Sequence, residues 1–174
     1  MQITVLSASF RTPSLTLAIA ELVSKALSDH HDAVVLDATE LGALPLVGCD
    51  ASGVDPIAFN AFEAALSAAD AVILGMPLYR ASISGAGKGL IDVFGDHLAG
   101  KPLGIFVAAG GLGAQLAVTD LDRPLALDLG CAVSPQRLLI TDGTDPENLR
   151  RTERFVERFE RFAEANRLQE VLSA

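Results

Sequence analysis

Cysteine is scarce in this 174-residue chain: only Cys49 and Cys131 occur, with neither a CxxC pair nor the Cys/His spacing of a zinc site. No disulfide framework and no metal site is therefore expected, and both residues read as ordinary reduced thiols. Basic residues are also few, 13 Lys and Arg against 22 Asp and Glu, giving a formal charge of -9 and a pI near 4.7. Gripping a phosphate backbone or an anionic membrane needs clustered Lys and Arg, so no nucleic-acid partner and no membrane partner is expected. Long apolar runs are missing as well. Met1 to Leu6 reads as a strand with no basic region ahead of it, which supports neither a signal peptide nor a membrane span; the expected location is cytoplasmic. No GxxxxGK[ST] loop occurs, and the first turn lacks GxGxxG. A magnesium-binding receiver domain would need acidic residues at the end of the first strand, where this chain has Ser7 and Ser9.

Half of the residues are hydrophobic, enough for one well-filled core, so residues 1–174 are expected to form a single domain. Apolar runs of strand length recur at Ile3 to Ala8, Ala33 to Leu36, Ala71 to Gly75, Leu103 to Ala108 and Leu138 to Ile140. Helical spacing lies between them, at Leu15 to Leu27, Ile57 to Ala68, Gly85 to Phe94, Gly113 to Leu129 and Arg151 to Leu168. Such alternation implies a parallel sheet covered by helices on both faces. Five strands favour a flavodoxin-like α/β three-layer sandwich with strand order 2-1-3-4-5. Asp55-Pro56 and Asp145-Pro146 each read as an acidic cap before a first-turn proline. The last helix carries Arg150, Arg151, Arg154, Arg158 and Arg161 among Glu153, Glu157 and Glu160, and reads as a solvated face of opposite charges.

Three loops follow strands at the sheet edge where α/β proteins bind ligands. After the first strand, Ser9, Arg11, Ser14 and Thr16 crowd a helix N-terminus, where free N–H groups and the helix dipole favour an anion such as a terminal phosphomonoester. The same residues also suit a plain cap at Ser14 with Arg11 in solvent. After the third strand comes Met76-Pro77-Leu78-Tyr79-Arg80-Ala81-Ser82-Ile83-Ser84-Gly85-Ala86-Gly87-Lys88. Pro77 sets the direction of exit, Leu78 and Tyr79 offer a flat apolar wall, and the N–H groups of Tyr79 to Ser82 suit the acceptor edge of a flavin. Simple packing of Tyr79 on a neighbouring helix is the alternative. After the fourth strand, Gly110 and Gly111 allow close backbone approach, or a plain turn.

With these residues the chain resembles the NAD(P)H-dependent FMN reductases of the flavodoxin-like superfamily, in particular the reductase components of two-component alkanesulfonate monooxygenases. Ser9, Arg11, Ser14 and Thr16 resemble that family's phosphate loop; Pro77-Leu78-Tyr79-Arg80-Ala81-Ser82 with Ser84-Gly85 and Lys88 resembles its flavin loop. Gly100-Lys101-Pro102 and Gly110-Gly111 resemble its later strand start and glycine turn. Ala8 and Arg80 stand where the family usually has glycine and lysine.

The resemblance implies an enzyme binding FMN and taking hydride from NADPH or NADH, then passing reduced flavin or electrons to an acceptor such as a monooxygenase. Nicotinamide and flavin nucleotides are its implied partners, and a homodimer or homotetramer its implied assembly. Hydride transfer is cofactor chemistry, so no catalytic side chain is assigned. His97, with Asp92 nearby, reads as a structural or exposed histidine, and His30-His31 as a polar turn. A flavodoxin-like electron carrier without nicotinamide activity and an NAD(P)H quinone or azo-dye reductase are the competing readings.

Overall fold

Alternating apolar strands and amphipathic helices place five strands in one parallel sheet. The computed structural model describes the backbone of residues 1–109, 111 and 118–173, and side chains as far as residue 167 within that range. The strands β1 (Gln2–Ser7), β2 (Asp32–Asp37), β3 (Ala71–Tyr79), β5 (Pro102–Ala108) and β6 (Ala132–Ile140) pair in the order β2-β1-β3-β5-β6. Counting only these parallel strands, this is the expected 2-1-3-4-5. A short sixth strand, β4 (Ser82–Ile83), pairs antiparallel with the end of β3.

Strand alternation sorts side chains onto two faces. Ile3 and Val5 of β1, Ile73 of β3 and Phe106 of β5 pack with Ile19 and Val23 of α1 (Leu15–Leu27) and with Phe155 and Phe159 of α4 (Asn148–Ser173). Leu6, Leu74, Met76 and Ile105 point the other way, onto Phe62 of α2 (Pro56–Ala68) and Phe94 of α3 (Gly85–Leu98). Each fully buried phenylalanine or leucine contributes about 1.5–3 kcal/mol. Two glycines make room for the aromatic rings: a Cβ on Gly75 would lie 1.9 Å from Cζ of Phe106, and one on Gly104 would lie 2.8 Å from Cδ2 of Phe159.

Local chemistry sets the helix ends. The Asp55 carboxylate accepts from the N–H groups of Ile57 and Ala58 at 2.8 and 3.1 Å, with Pro56 as the first helical residue. At the other end of α2, the Lys101 ammonium donates to the carbonyls of Leu66 and Ser67, and burial pulls its pKa down. Cys131 is buried, which raises its thiol pKa, whereas Cys49 is exposed; both are free. No described helix is long and apolar enough to cross a membrane.

Three expectations are corrected. Residues 113–117 of the helix expected over Gly113 to Leu129 lie outside the described residues, and the rest is a 3-10 turn over 118–121 followed by a π-helical turn at Arg123–Asp128. Pro124 has no N–H to continue an α ladder, and the Leu129 N–H reaches back five residues to the Pro124 carbonyl at 3.1 Å. Asp145-Pro146 does not open the last helix: Asp145 closes a turn onto the Asn148 N–H at 3.0 Å, and α4 starts at Asn148. Strand β6 begins at Ala132, six residues before the expected Leu138, and its pairing with β5 slips around Pro135, so that Leu103 faces Val133 while Ile105 faces Arg137.

Replacing Gly75 with Ala is expected to lower unfolding stability by about 1–3 kcal/mol, because the Phe106 ring has no free volume to enter. Gly85→Ala, whose Cβ meets nothing within 4 Å, is expected to raise it by about 0.5–1 kcal/mol. Urea denaturation of the two variants checks both signs.

Candidate functional site

From β1 the chain crosses to β2 on one side, and from β3 to β5 on the other, so the C-terminal ends of β1 and β3 flank an open crevice. A cleft of about 980 Å³ lies there, within the size range of nucleotide-sized sites. Its walls come from the loop after β1, the β3–β4 hairpin, the segment after β5, and Thr141 just past β6.

Ser9, Arg11, Ser14 and Thr16 all line this cleft. Ser9 is 3% exposed and its hydroxyl accepts from the Arg11 N–H at 3.3 Å, which folds the loop back and leaves the Arg11 side chain exposed at the rim. Ser14 is the N-cap of α1 and accepts from the Leu17 N–H at 3.1 Å. Cap and ligand group are compatible here, since a hydroxyl that accepts this bond still has its O–H to donate. The N–H groups of Leu15 and Thr16, the first two helical residues, have no intrahelical partner by position, and both residues face the cleft. The positive end of the α1 dipole thus opens onto the pocket beside a guanidinium.

The segment after β3 is a tight hairpin rather than an open loop. Strand β3 continues to Tyr79, Tyr79 pairs with Ser82, and the two residues between them, Arg80 and Ala81, both have positive φ, 54° and 57°. This is the backbone sense of the two-residue turn usually made by Asn-Gly, and holding side-chain-bearing residues there costs about 1–2 kcal/mol each. Such a turn leaves the N–H groups of its two central residues outside the strand ladder, and Arg80 and Ala81 line the cleft. Pro77 and Leu78 form the apolar wall below them, with Leu78 8% and Tyr79 46% exposed.

Ser82 is not among the lining residues: its hydroxyl donates to the Asp120 carboxylate at 3.1 Å and so braces the hairpin. Lys88 is also elsewhere, paired with Asp92 on the exposed side of α3. Of the glycine pair, Gly111 lines the cleft and Gly110 lies outside the described residues. Ala108 and Ala109 complete that wall. Thr141 escaped the sequence reading, although it directly follows the last strand residue, Ile140, and the rule that ligands sit at the C-terminal ends of strands would have found it. The cleft contains two arginines and no Asp or Glu among its lining residues, so it favours an anion within an acidic chain. His97 lies apart from it, with Nδ1 2.8 Å from the Ser67 hydroxyl and Nε2 3.4 Å from the Glu63 carboxylate.

Residues 1–145 match the family described as NADPH-dependent FMN reductase. The FMN-dependent NADPH-azoreductase of Staphylococcus haemolyticus (strain JCSC1435) is 34% identical over 115 residues, 62% of this chain and 61% of that protein. The chain thus spans about three fifths of the length of the curated relative it matches. Among solved structures, an oxidoreductase from Corynebacterium diphtheriae superposes with a TM-score of 0.74 at 26% identity, covering 94% of this chain and 96% of that one. FerB, a flavoenzyme NAD(P)H:(acceptor) oxidoreductase from Paracoccus denitrificans, gives 0.74 at 24% identity, covering 94% and 97%. Oxidised flavodoxin 2 from Bacillus cereus gives 0.63 at 20% identity, covering 92% and 99%. The last two likenesses establish the shared fold.

Because the hairpin turn carries a side chain at a positive φ, Ala81→Gly is expected to raise unfolding stability by about 0.5–1 kcal/mol, the relief exceeding the added chain entropy. Thermal and urea midpoints measure it, and a fall in both would mean that the turn is unstrained.

Proposed function

The chain belongs to the family of NADPH-dependent FMN reductases, and from that premise we propose that it binds FMN in the switch-point cleft and catalyses its reduction by NADPH or NADH. One observation carries the reading: an anion cradle, an apolar wall and a pair of turn amides converge in a single cleft that has no carboxylate among its described lining residues. The donor set fits a flavin mononucleotide. The hydroxyls of Ser9, Ser14 and Thr16, the first N–H groups of α1 and the Arg11 guanidinium suit a phosphomonoester. Pro77, Leu78 and Tyr79 offer a flat surface to a ring system, and Ala108, Ala109 and Gly111 border it from β5.

Bound FMN supplies the hydride-accepting ring. The protein's own contribution is placement and electrostatics. The turn amides of Arg80 and Ala81 would donate to the polar edge of the ring, and their fixed turn geometry would spare them reorganisation. Arg80 adds a second positive charge at the rim. No side chain acts as nucleophile or proton donor in this scheme, and the described lining residues include no histidine or carboxylate to do so.

The final acceptor is the finer question. The relative from Staphylococcus haemolyticus, named an FMN-dependent NADPH-azoreductase, favours direct reduction of an azo dye or quinone over delivery of reduced flavin to a partner monooxygenase. A homodimer or homotetramer belongs to the same proposal. Leu46, which packs over Gly89 of α3, and Val47 beside it are 47% and 71% exposed and offer an apolar surface for it.

Mixing purified protein with FMN and NADPH and following the nicotinamide absorbance is expected to show oxidation above a flavin-only blank. An electron carrier would give none, and that result would overturn the reductase reading. Arg11→Ala is expected to weaken FMN binding about tenfold to a hundredfold, the loss of one charge-assisted contact, as measured by fluorescence quenching. Anaerobic bleaching of an azo dye by the same mixture distinguishes direct acceptor reduction from release of reduced flavin.

A further inference from the structure

A second cavity, of about 450 Å³, lies where α4 crosses the outer edge of β6, and it shares no residue with the flavin cleft. Four arginines line it: Arg137 on β6, and Arg151, Arg154 and Arg158 on α4, with Gln136 and Phe155 between them. Helical spacing explains the clustering, since positions 151, 154, 155 and 158 are three, four and seven apart and therefore share one face. Four guanidiniums around one cavity repel one another, and only two of them have a carboxylate partner among the described residues.

The carboxylates of α4 and its approach are largely engaged elsewhere. Glu157 pairs with Arg161 at 2.6 Å and Glu147 with Arg150 at 3.5 Å, both on the solvent side. Around the cavity, Arg151 pairs with Asp145 at 3.2 Å, and one nitrogen of Arg137 pairs with Asp122 at 3.2 Å. The remaining donors lack an acid. Arg158 donates to the neutral Gln136 side chain at 2.7 Å, and Arg154 has no carboxylate partner among the described residues. Arg137, in register with Ile105, turns its side chain toward Asp122 and away from α4. Two guanidiniums one helical turn apart, neither of them neutralised, are left facing the cavity from α4.

We propose that this β6–α4 cavity is a second anion site, taking the phosphoryl group of a small molecule between Arg154 and Arg158. Planar guanidiniums bind phosphoryl oxygens in bidentate fashion, and several of them suit a dianion better than a single carboxylate. Phe155, Leu138 and Leu139 give the cavity an apolar floor, and its volume exceeds that of a bare phosphate, which leaves room for an organic phosphate. The acidic surface elsewhere disfavours binding of long polyanions, so a compact ligand fits better than nucleic acid.

Isothermal titration of the purified full chain with inorganic phosphate, and separately with adenosine monophosphate, tests the site. Saturable binding of either probe is expected, and the tighter of the two separates a free-phosphate site from an organic-phosphate site. That binding is expected to keep its affinity in Arg11→Ala, which weakens the flavin cleft, and to weaken at least about tenfold in Arg154→Ala/Arg158→Ala. Both side chains are exposed, and the charge-retaining Arg154→Lys/Arg158→Lys is expected to recover part of the affinity, which a folding defect would not allow. No saturable binding up to about 10 mM, loss of binding in Arg11→Ala, or unchanged affinity in the double alanine variant overturns the proposal.

Discussion

One row of the sheet governs the molecule. Gly75 pairs with Ser7 of β1 on one side and with Phe106 of β5 on the other, and the Ala8 N–H is bonded to the Gly75 carbonyl at 2.8 Å. Below that row everything is close-packed core. Above it the three strands release the segments that line the cleft. Gly75 can occupy the row only because it has no side chain, since the Phe106 ring fills the space where a Cβ would lie. Sheet register, aromatic packing and the position of the cleft are thus one constraint expressed in three ways.

Charge is distributed to the same effect. The chain carries a net charge of -9, yet six of its 13 Lys and Arg line two concave places, one at the N-terminus of α1 and the hairpin turn, the other between β6 and α4. In both, backbone or helix geometry positions the guanidiniums.

Much of this was legible in the residues, and the exceptions have identifiable causes. The apolar runs of β1, β3 and β5, all buried on both faces, gave unambiguous signals, and so did the Asp55-Pro56 start of α2. The first half of β6 was unreadable as strand, because it lies at the sheet edge with Gln136 and Arg137 among its residues and Pro135 in its midst. Pro124 interrupts the helical spacing of Gly113 to Leu129 from within, because it has no N–H for the α ladder. Arg80-Ala81 carries no hairpin signature, because the residues that normally make such a turn are Asn and Gly. Tertiary context overrides local preference there, at the rim of the cleft where a flavin is proposed to bind. The cleft residues after β1 and β3 were legible from the order of elements, and Thr141 was open to the same rule, since it directly follows the strand end at Ile140.

The slipped pairing around Pro135 also bears on how copies of this chain can meet. An exposed flank of a parallel sheet is ordinarily open to recruitment by a neighbouring molecule, strand to strand. Here that border is interrupted by a residue that cannot donate a hydrogen bond and is crossed by the side chains of the last helix. Continuous cross-molecule sheets are therefore disfavoured on this flank. The same irregularity guards the chain against fibrous aggregation.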